Sequence, residues 1–305
     1  MNVLVTGGNG FLGNHLVSFL ENAHHQVYTL SRNNAHIICD LGREMPLFTT
    51  HFELVIHCSG KAHSVPANDV QSNEFFTANC IGTSNLFKGL EAQSVLPKYF
   101  IFMSSISVYG RAEGHLINEE APLLATDTYG LSKIRAEKIA LEWCVKNNVI
   151  CTILRLPLIA GINPPGNLKT MIKAIKMGYY FNVVGGKSKK SMVLATDIAS
   201  IIPHVSKIGG IYNLTDGMHP SFAELSHEIA KQLNRKKPLS IPMWLAKILA
   251  GFGDLIGTRS PINSDKLNKI TSSLTFDDQK ARKMIGWSPN PVLKEFKIVS
   301  FHYNP

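Results

Sequence analysis

Apolar residues in this chain fall into short, β-branched runs separated by stretches in which they recur every three to four positions. The first run, Val3-Leu4-Val5, enters a glycine cluster. A helical pattern of Leu12, Leu16, Val17 and Leu20 leaves it. Further runs at 26–30, 37–39, 54–57, 98–103 and 149–154 read as strands, with helical stretches between most of them. This alternation predicts an α/β fold: a doubly wound parallel sheet with helices on both faces. The segment Gly161-Ile162-Asn163-Pro164-Pro165-Gly166-Asn167 is rich in turn residues and predicts a boundary. Residues 1–160 form one domain in this reading and 161–305 a smaller C-terminal α/β lobe, with 191–214 returning to the first. Ser221 and Glu224 have capping-box spacing for a helix.

The first strand and its turn carry chemistry. Thr6-Gly7-Gly8-Asn9-Gly10-Phe11-Leu12-Gly13 is a strand–turn–helix with glycines at the spacing of a dinucleotide-binding fingerprint. Gly7 permits the sharp turn and Gly10 lets the backbone approach a pyrophosphate. Gly13 lets the helix pack on the strand, and the helix N-terminus faces the phosphates. At the end of the second strand an acidic residue would select NAD. Ser31-Arg32 stands there, and arginine suits a 2′-phosphate, so NADP(H) is favoured over NAD(H); the plain alternative is a solvated loop arginine. Asp40 at the third strand's end can accept from an adenine amino group. Cys58-Ser59-Gly60-Lys61 after the fourth strand is small enough for close passage of a cofactor. His57 and His63 read as packing residues.

The fifth strand leads into Ser104-Ser105-Ile106-Ser107, and Tyr129 and Lys133 follow at i, i+4, on one helix face. A tyrosine hydroxyl is a poor base at neutral pH. A lysine one turn away is expected to lower its pKa. With Ser105 on the same substrate oxygen, the three predict proton transfer for an alcohol–ketone interconversion, with hydride passing to or from a nicotinamide.

Composition narrows the partners. The chain has 305 residues and a net charge of +9, which favours anionic ligands, but no nucleic-acid-binding motif accompanies it. Its five cysteines form no CxxC pair, so neither a metal site nor a disulfide framework is expected. No apolar stretch reaches the ~18 residues of a transmembrane segment. The first strand begins at Asn2, leaving no leader, and a cytoplasmic protein is expected.

Taken together, the stretches 6–13, 40–41, 55–57, 79–83, 104–110, 129–133, 154–157, 197–199 and 286–289 resemble the extended short-chain dehydrogenase/reductase family, in its nucleotide-sugar epimerase/dehydratase branch. The resemblance implies a Rossmann-type sheet of about seven strands. It implies NAD(P) held by Gly7, Gly10, Phe11, Leu12, Gly13, Ser31, Arg32, Asp40, Leu41, Cys58, Ser59, Gly60, Lys61, Asn79, Tyr129, Lys133 and Pro157. Ser105, Tyr129 and Lys133 take the catalytic positions. Ser105, Asn167 and Lys190 take the substrate positions, for a UDP-linked sugar between the lobes. Dehydratases of this branch carry an Asp-Glu pair where this chain has Ile106 and Ser107, so dehydration is disfavoured. A C4 epimerase and an NADPH-dependent 4-ketoreductase both remain open. A non-catalytic cofactor sensor is disfavoured by the intact Ser-Tyr-Lys set.

Two features of the second half have plain alternatives. Gly185-Gly186-Lys187-Ser188-Lys189-Lys190-Ser191 suits a diphosphate or is a solvated charge run. Residues 242–256 form an amphipathic helix. Trp244, Leu245, Ile248, Leu249 and Phe252 are expected to pack on the small lobe, the alternative being peripheral contact with a membrane surface or a membrane glycosyltransferase. A homodimer is left open.

Overall fold

The structure, a computed structural model, describes residues 1–62, 66, 68–256 and 262–298. The order is β1 (Asn2–Thr6), α1 (Phe11–Asn22), β2 (Gln26–Ser31), β3 (Ile37–Ile38), β4 (Leu54–His57), α2 (Asp69–Phe76), α3 (Gly82–Glu91), β5 (Tyr99–Ser105), β6 (Gly114–Ile117), α4 (Thr128–Lys146), β7 (Ile150–Leu156) and β8 (Leu158–Ala160). It continues with α5 (Gly166–Met177), β9 (Asn182–Val183), β10 (Met192–Leu194), α6 (Ala195–Val205), β11 (Gly210–Asn213), α7 (Phe222–Gln232), β12 (Ser240–Ile241), α8 (Met243–Ile256), α9 (Ser264–Thr271), β13 (Leu274–Phe276), α10 (Gln279–Ile285) and α11 (Val292–Glu295).

Seven strands form one parallel sheet in the order β11-β7-β5-β4-β1-β2-β3. The chain builds outward from β1 to β3, then crosses back to β4 and builds the other way. The switch point therefore lies between β1 and β4, and in such sheets ligands bind outside the strands' carboxyl ends at that point. The strands are apolar on both faces because helices cover both. Val3, Val5, Leu54 and Ile56 pack with Leu16 and Leu20 of α1 and Ile198 and Ile202 of α6. Leu4, Val55, Phe100 and Phe102 pack with Leu86 of α3 and Ala136 and Trp143 of α4 on the other side.

Beyond β7 the chain leaves this sheet. β8 and β10 pair with each other, while Val193 of β10, α6 and β11 pack on or pair with the large sheet. A separate core joins α5, α7 and α11 through Met171, Ile175, Leu225, Ile229 and Val292. The capping box at α7 has both arms: Glu224 N donates to Ser221 Oγ (3.2 Å) and Ser221 N to Glu224 Oε2 (2.8 Å).

Helix α8 departs from expectation. Ala246 and Ala250 face the lobe, whereas Trp244, Ile248, Leu249 and Phe252 are exposed. The small side chains sit closest to the neighbouring core, so the large ones expected inside are turned away.

Candidate active site

At the carboxyl end of β1 the backbone turns at Gly7, whose φ of +68° is costly for any other residue. The loops after β1 and β4 also touch there: a Cβ on Gly7 would come 2.9 Å from Ser59 N. A Cβ on Gly13 would meet the carbonyl oxygen of Gly7 at 2.1 Å, so α1 closes on the turn only with glycine. Gly10 caps α1 without a side-chain hydrogen bond, and the first turn has no acidic residue. The N–H groups of Phe11, Leu12 and Gly13 are thus open to an anion, with the helix dipole behind them. At the end of β2, Ser31 Oγ is buried with no hydrogen-bond partner, a vacancy a ligand hydroxyl or phosphate oxygen can fill. Arg32 beside it is exposed. These features fit a dinucleotide.

Other expected cofactor residues already have partners. The Asp40 carboxylate accepts from Gly42 N (3.1 Å) and lies 3.5 Å from Arg43 Nε. Leu41 is buried in the sheet core, its carbonyl accepting from Asn85 Nδ2 (2.8 Å). Cys58 is half-buried, and desolvation pushes its thiol up to about 12. Lys61 pairs with Glu74 and stands over the Phe75 ring. Pro157 is buried between β7 and β8. Asn79 lies in a π-helical turn, Thr77–Ile81, between α2 and α3. Its Oδ1 accepts from Lys61 N (2.8 Å) and its Nδ2 donates to Lys61 O (3.2 Å) and Ser132 Oγ (2.8 Å). Asn79 therefore clamps the β4–α2 loop to α4; a close turn of this kind is a common use of a π-bulge. His57 is held between Thr6 and Thr83 and lowered to about 3, by burial first and by Lys133 second, so it is neutral and structural. His63 and part of its loop lie outside the described residues.

Strand β5 and helix α4 bring the expected catalytic residues together. Ser105 ends β5 and caps a 3₁₀ turn, Ile106–Tyr109. Tyr129 lies in the first turn of α4, with Ser105 near enough to act on its phenol, while Ser105 Oγ itself donates to Ser107 Oγ (3.2 Å). Lys133, buried one turn on, donates from Nζ to Met103 O (2.6 Å) and lies 4.2 Å above the Phe102 ring. In this structure the ammonium turns to the β5 carbonyl. Burial pushes the Tyr129 phenol up, the nearby Ser105 hydroxyl opposes this, and Asp127 adds to it. Lys133 itself is lowered to about 8, burial outweighing the nearby Glu137 carboxylate.

Sequence reasoning missed the network beneath these three. Glu137, four residues past Lys133, accepts from Ser104 Oγ and from Arg155 Nε (3.1 Å) and Nη2 (2.8 Å). Arg155 Nη1 donates to Tyr109 Oη (3.1 Å), which donates to Asn213 Oδ1 (2.7 Å). Glu137 and Arg155 are 3–4% exposed, so the pair ties α4 to β5 and β7 in a dry interior. The available signal was a glutamate continuing the Tyr129, Lys133 spacing into the helix.

The other expected substrate residues lie in the C-terminal half. Asn167 is exposed in the first turn of α5, and no hydrogen bond joins it to Lys190. Lys190 is half-buried, its backbone bonded to Pro220, and lowered to about 8 by burial and by the like charge of Lys269. Lys269 was not anticipated, since 79 residues separate the two. Among the described residues no cluster of His, Cys, Asp or Glu could hold a metal ion, and no helix is long and apolar enough to cross a membrane.

Residues 3–214 match the model of the NAD dependent epimerase/dehydratase family. The chain is 28% identical to a UDP-glucose 4-epimerase of Vibrio cholerae, across 96% of this chain and 92% of the relative. It is 27% identical to the N-acetyl-α-D-glucosaminyl-diphospho-ditrans,octacis-undecaprenol 4-epimerase of Escherichia coli O157:H7, across 92% and 88%. The solved UDP-glucose 4-epimerase of Thermotoga maritima with UDP-glucose superposes with a TM-score of 0.74 at 20% identity, covering 97% of this chain and 96% of that one. With this family match and these relatives, the chain belongs to the NAD dependent epimerase/dehydratase family and is an NAD(P)-dependent sugar-nucleotide epimerase or reductase.

Proposed function

We propose that the protein is a C4 epimerase of a UDP-hexose or UDP-N-acetylhexosamine, working through a 4-keto sugar. The placement of Ser105 at the end of β5 beside Tyr129 in the first turn of α4, with Lys133 one turn on, supports this reading most directly. NAD(P), when bound, supplies the hydride acceptor and donor. Gly7, Gly10 and the N–H groups of Phe11, Leu12 and Gly13 would hold its pyrophosphate, and Ser31 and Arg32 its adenosine end. Tyr129 Oη takes the proton from the sugar O4 and later returns it, while Ser105 Oγ holds that oxygen in place. Lys133, one turn along α4, and the oxidised nicotinamide would together favour the tyrosinate. Lys190 and Asn167 would hold the nucleotide diphosphate. Ile106 and Ser107 provide no carboxylate pair for eliminating water, which sets dehydration aside.

Arg32 and the unpartnered Ser31 Oγ favour a second reading, NADPH-dependent reduction of a UDP-4-keto-6-deoxy sugar. One assay separates them. The protein is incubated with UDP-glucose, UDP-N-acetylglucosamine, the polyprenyl-diphosphate sugar named for the E. coli relative and a UDP-4-keto sugar, while reduced cofactor is followed by absorbance. Interconversion of 4-epimers with no net change in cofactor is expected. Stoichiometric NADPH consumption on the keto sugar alone would replace epimerase with reductase.

A further inference from the structure

Helix α8 presents its apolar side to solvent. Ala246 and Ala250 are 0% and 1% exposed against Val183 and Leu267, whereas Trp244, Ile248, Leu249, Phe252 and Leu255 are 64, 50, 43, 64 and 85% exposed. At about 100° per residue, the buried stripe spans roughly 60° and the exposed apolar side roughly 140° opposite it. Single exposed apolar residues are ordinary on a protein surface; five on one helix face are not.

The charge around this face selects its occupant. Residues 1–160 contain 11 Lys+Arg and 13 Asp+Glu, a net of −2; residues 161–305 contain 20 and 9, a net of +11. The whole positive excess therefore lies in the half that carries α8. Arg235, Lys236 and Lys237 are exposed just before the helix and Lys247 on its flank. Among the described residues none of these four pairs with a carboxylate. A second copy on this face would bring two strongly positive lobes together. A convex apolar helix on a lobe with this excess of positive charge is instead the pattern of an interfacial helix on anionic lipid.

We propose that α8 lies in the plane of an anionic lipid bilayer surface. Trp244, Phe252 and Leu255 enter the acyl boundary, and the four basic residues meet the headgroups. This inference is independent of the sugar the active site takes. The test mixes the full chain with phosphatidylcholine vesicles, with or without phosphatidylglycerol. Trp143 and Trp287 are 8% and 3% exposed, so tryptophan emission reports mainly on Trp244. Anionic vesicles should co-sediment the protein and shift its emission to the blue, and 0.5 M salt, chosen at roughly a 4 Å Debye length, should weaken both. Trp244→Phe should still sediment without the shift. The double variant Phe252→Ser, Leu255→Ser should bind at least about tenfold more weakly with its far-UV circular dichroism unchanged. Failure to sediment with anionic vesicles would overturn the proposal, as would unchanged binding by the double variant. A blue shift that grows with protein concentration without lipid would assign the face to a second copy instead.

Discussion

Two regions of the molecule, one beneath Ser105 and Tyr129 and one around Lys190, handle buried charge in opposite ways. Under Ser105 and Tyr129, Glu137 and Arg155 satisfy one another completely, with Ser104 and Tyr109 closing the network. In the C-terminal half, half-buried Lys190 has another cation, Lys269, as its electrostatic neighbour, and both its burial and that neighbour disfavour its charge. A completed network fixes geometry before substrate arrives, as proton transfer requires. An uncompensated pair of cations is costly until an anion arrives, which suits binding.

The contrast is broken most directly at the catalytic side. Tyr129→Phe should lose turnover by about 10²-fold or more, the usual scale of general acid–base catalysis, while binding cofactor as before. Steady-state kinetics with a cofactor-fluorescence titration checks it; near-normal turnover removes Tyr129 from the chemistry. Glu137→Ala tests whether the network is structural. It strands a buried guanidinium and should cost about 3–5 kcal/mol in urea unfolding. A loss under 1 kcal/mol would mean that water or another group solvates Arg155.

On the other side, Lys190→Ala should raise KM by about tenfold with kcat little changed, because diphosphate contacts far from the sugar C4 are alike in ground and transition states. The pH dependence has a defined sign. Lys190 in the free protein loses its proton near 8, below an ordinary lysine, and an anion favours the charged form. UDP affinity should therefore be full below that pH and fall as pH rises through it. Calorimetry at pH 7 and pH 9 measures this, and an equal slope in Lys190→Ala would exclude Lys190 as its source. The smallest effect is expected at Arg32. It is exposed and makes one charge-assisted contact at most, so Arg32→Ala should weaken NADPH up to about tenfold and leave NADH unchanged. Equal titrations of both cofactors in both proteins would make it a solvated loop residue and favour epimerisation over NADPH-dependent reduction.

Local signals made much of this legible in advance. Glycine at a positive φ, a β-branched run and an i, i+4 pair are each constrained by the backbone within a few residues, so β1, α1, Tyr129 and Lys133 could be placed from sequence. Ser105 needed only the end of a strand. What stayed hidden depended on residues far apart in the chain. Asn79 pairs with Lys61 and Ser132, Arg155 reaches Tyr109, and Lys269 opposes Lys190. The direction of the Lys133 ammonium was hidden too, because it follows from the nearby Met103 carbonyl.

Helix α8 shows where the division lies. Its periodicity identified an amphipathic helix, and the structure contains one over Met243–Ile256. Which side faces inward was not encoded in that periodicity. Ala246 and Ala250 fit closely against Val183 and Leu267, where Trp244 and Phe252 would not. The sequence by itself determined the parallel sheet, the dinucleotide turn and the Ser-Tyr-Lys set, since each rests on short-range backbone and side-chain constraints. Only the tertiary structure decided which charges are paired, which lysine faces another, and which face of a helix is left to solvent, because these depend on close packing between elements distant in the chain.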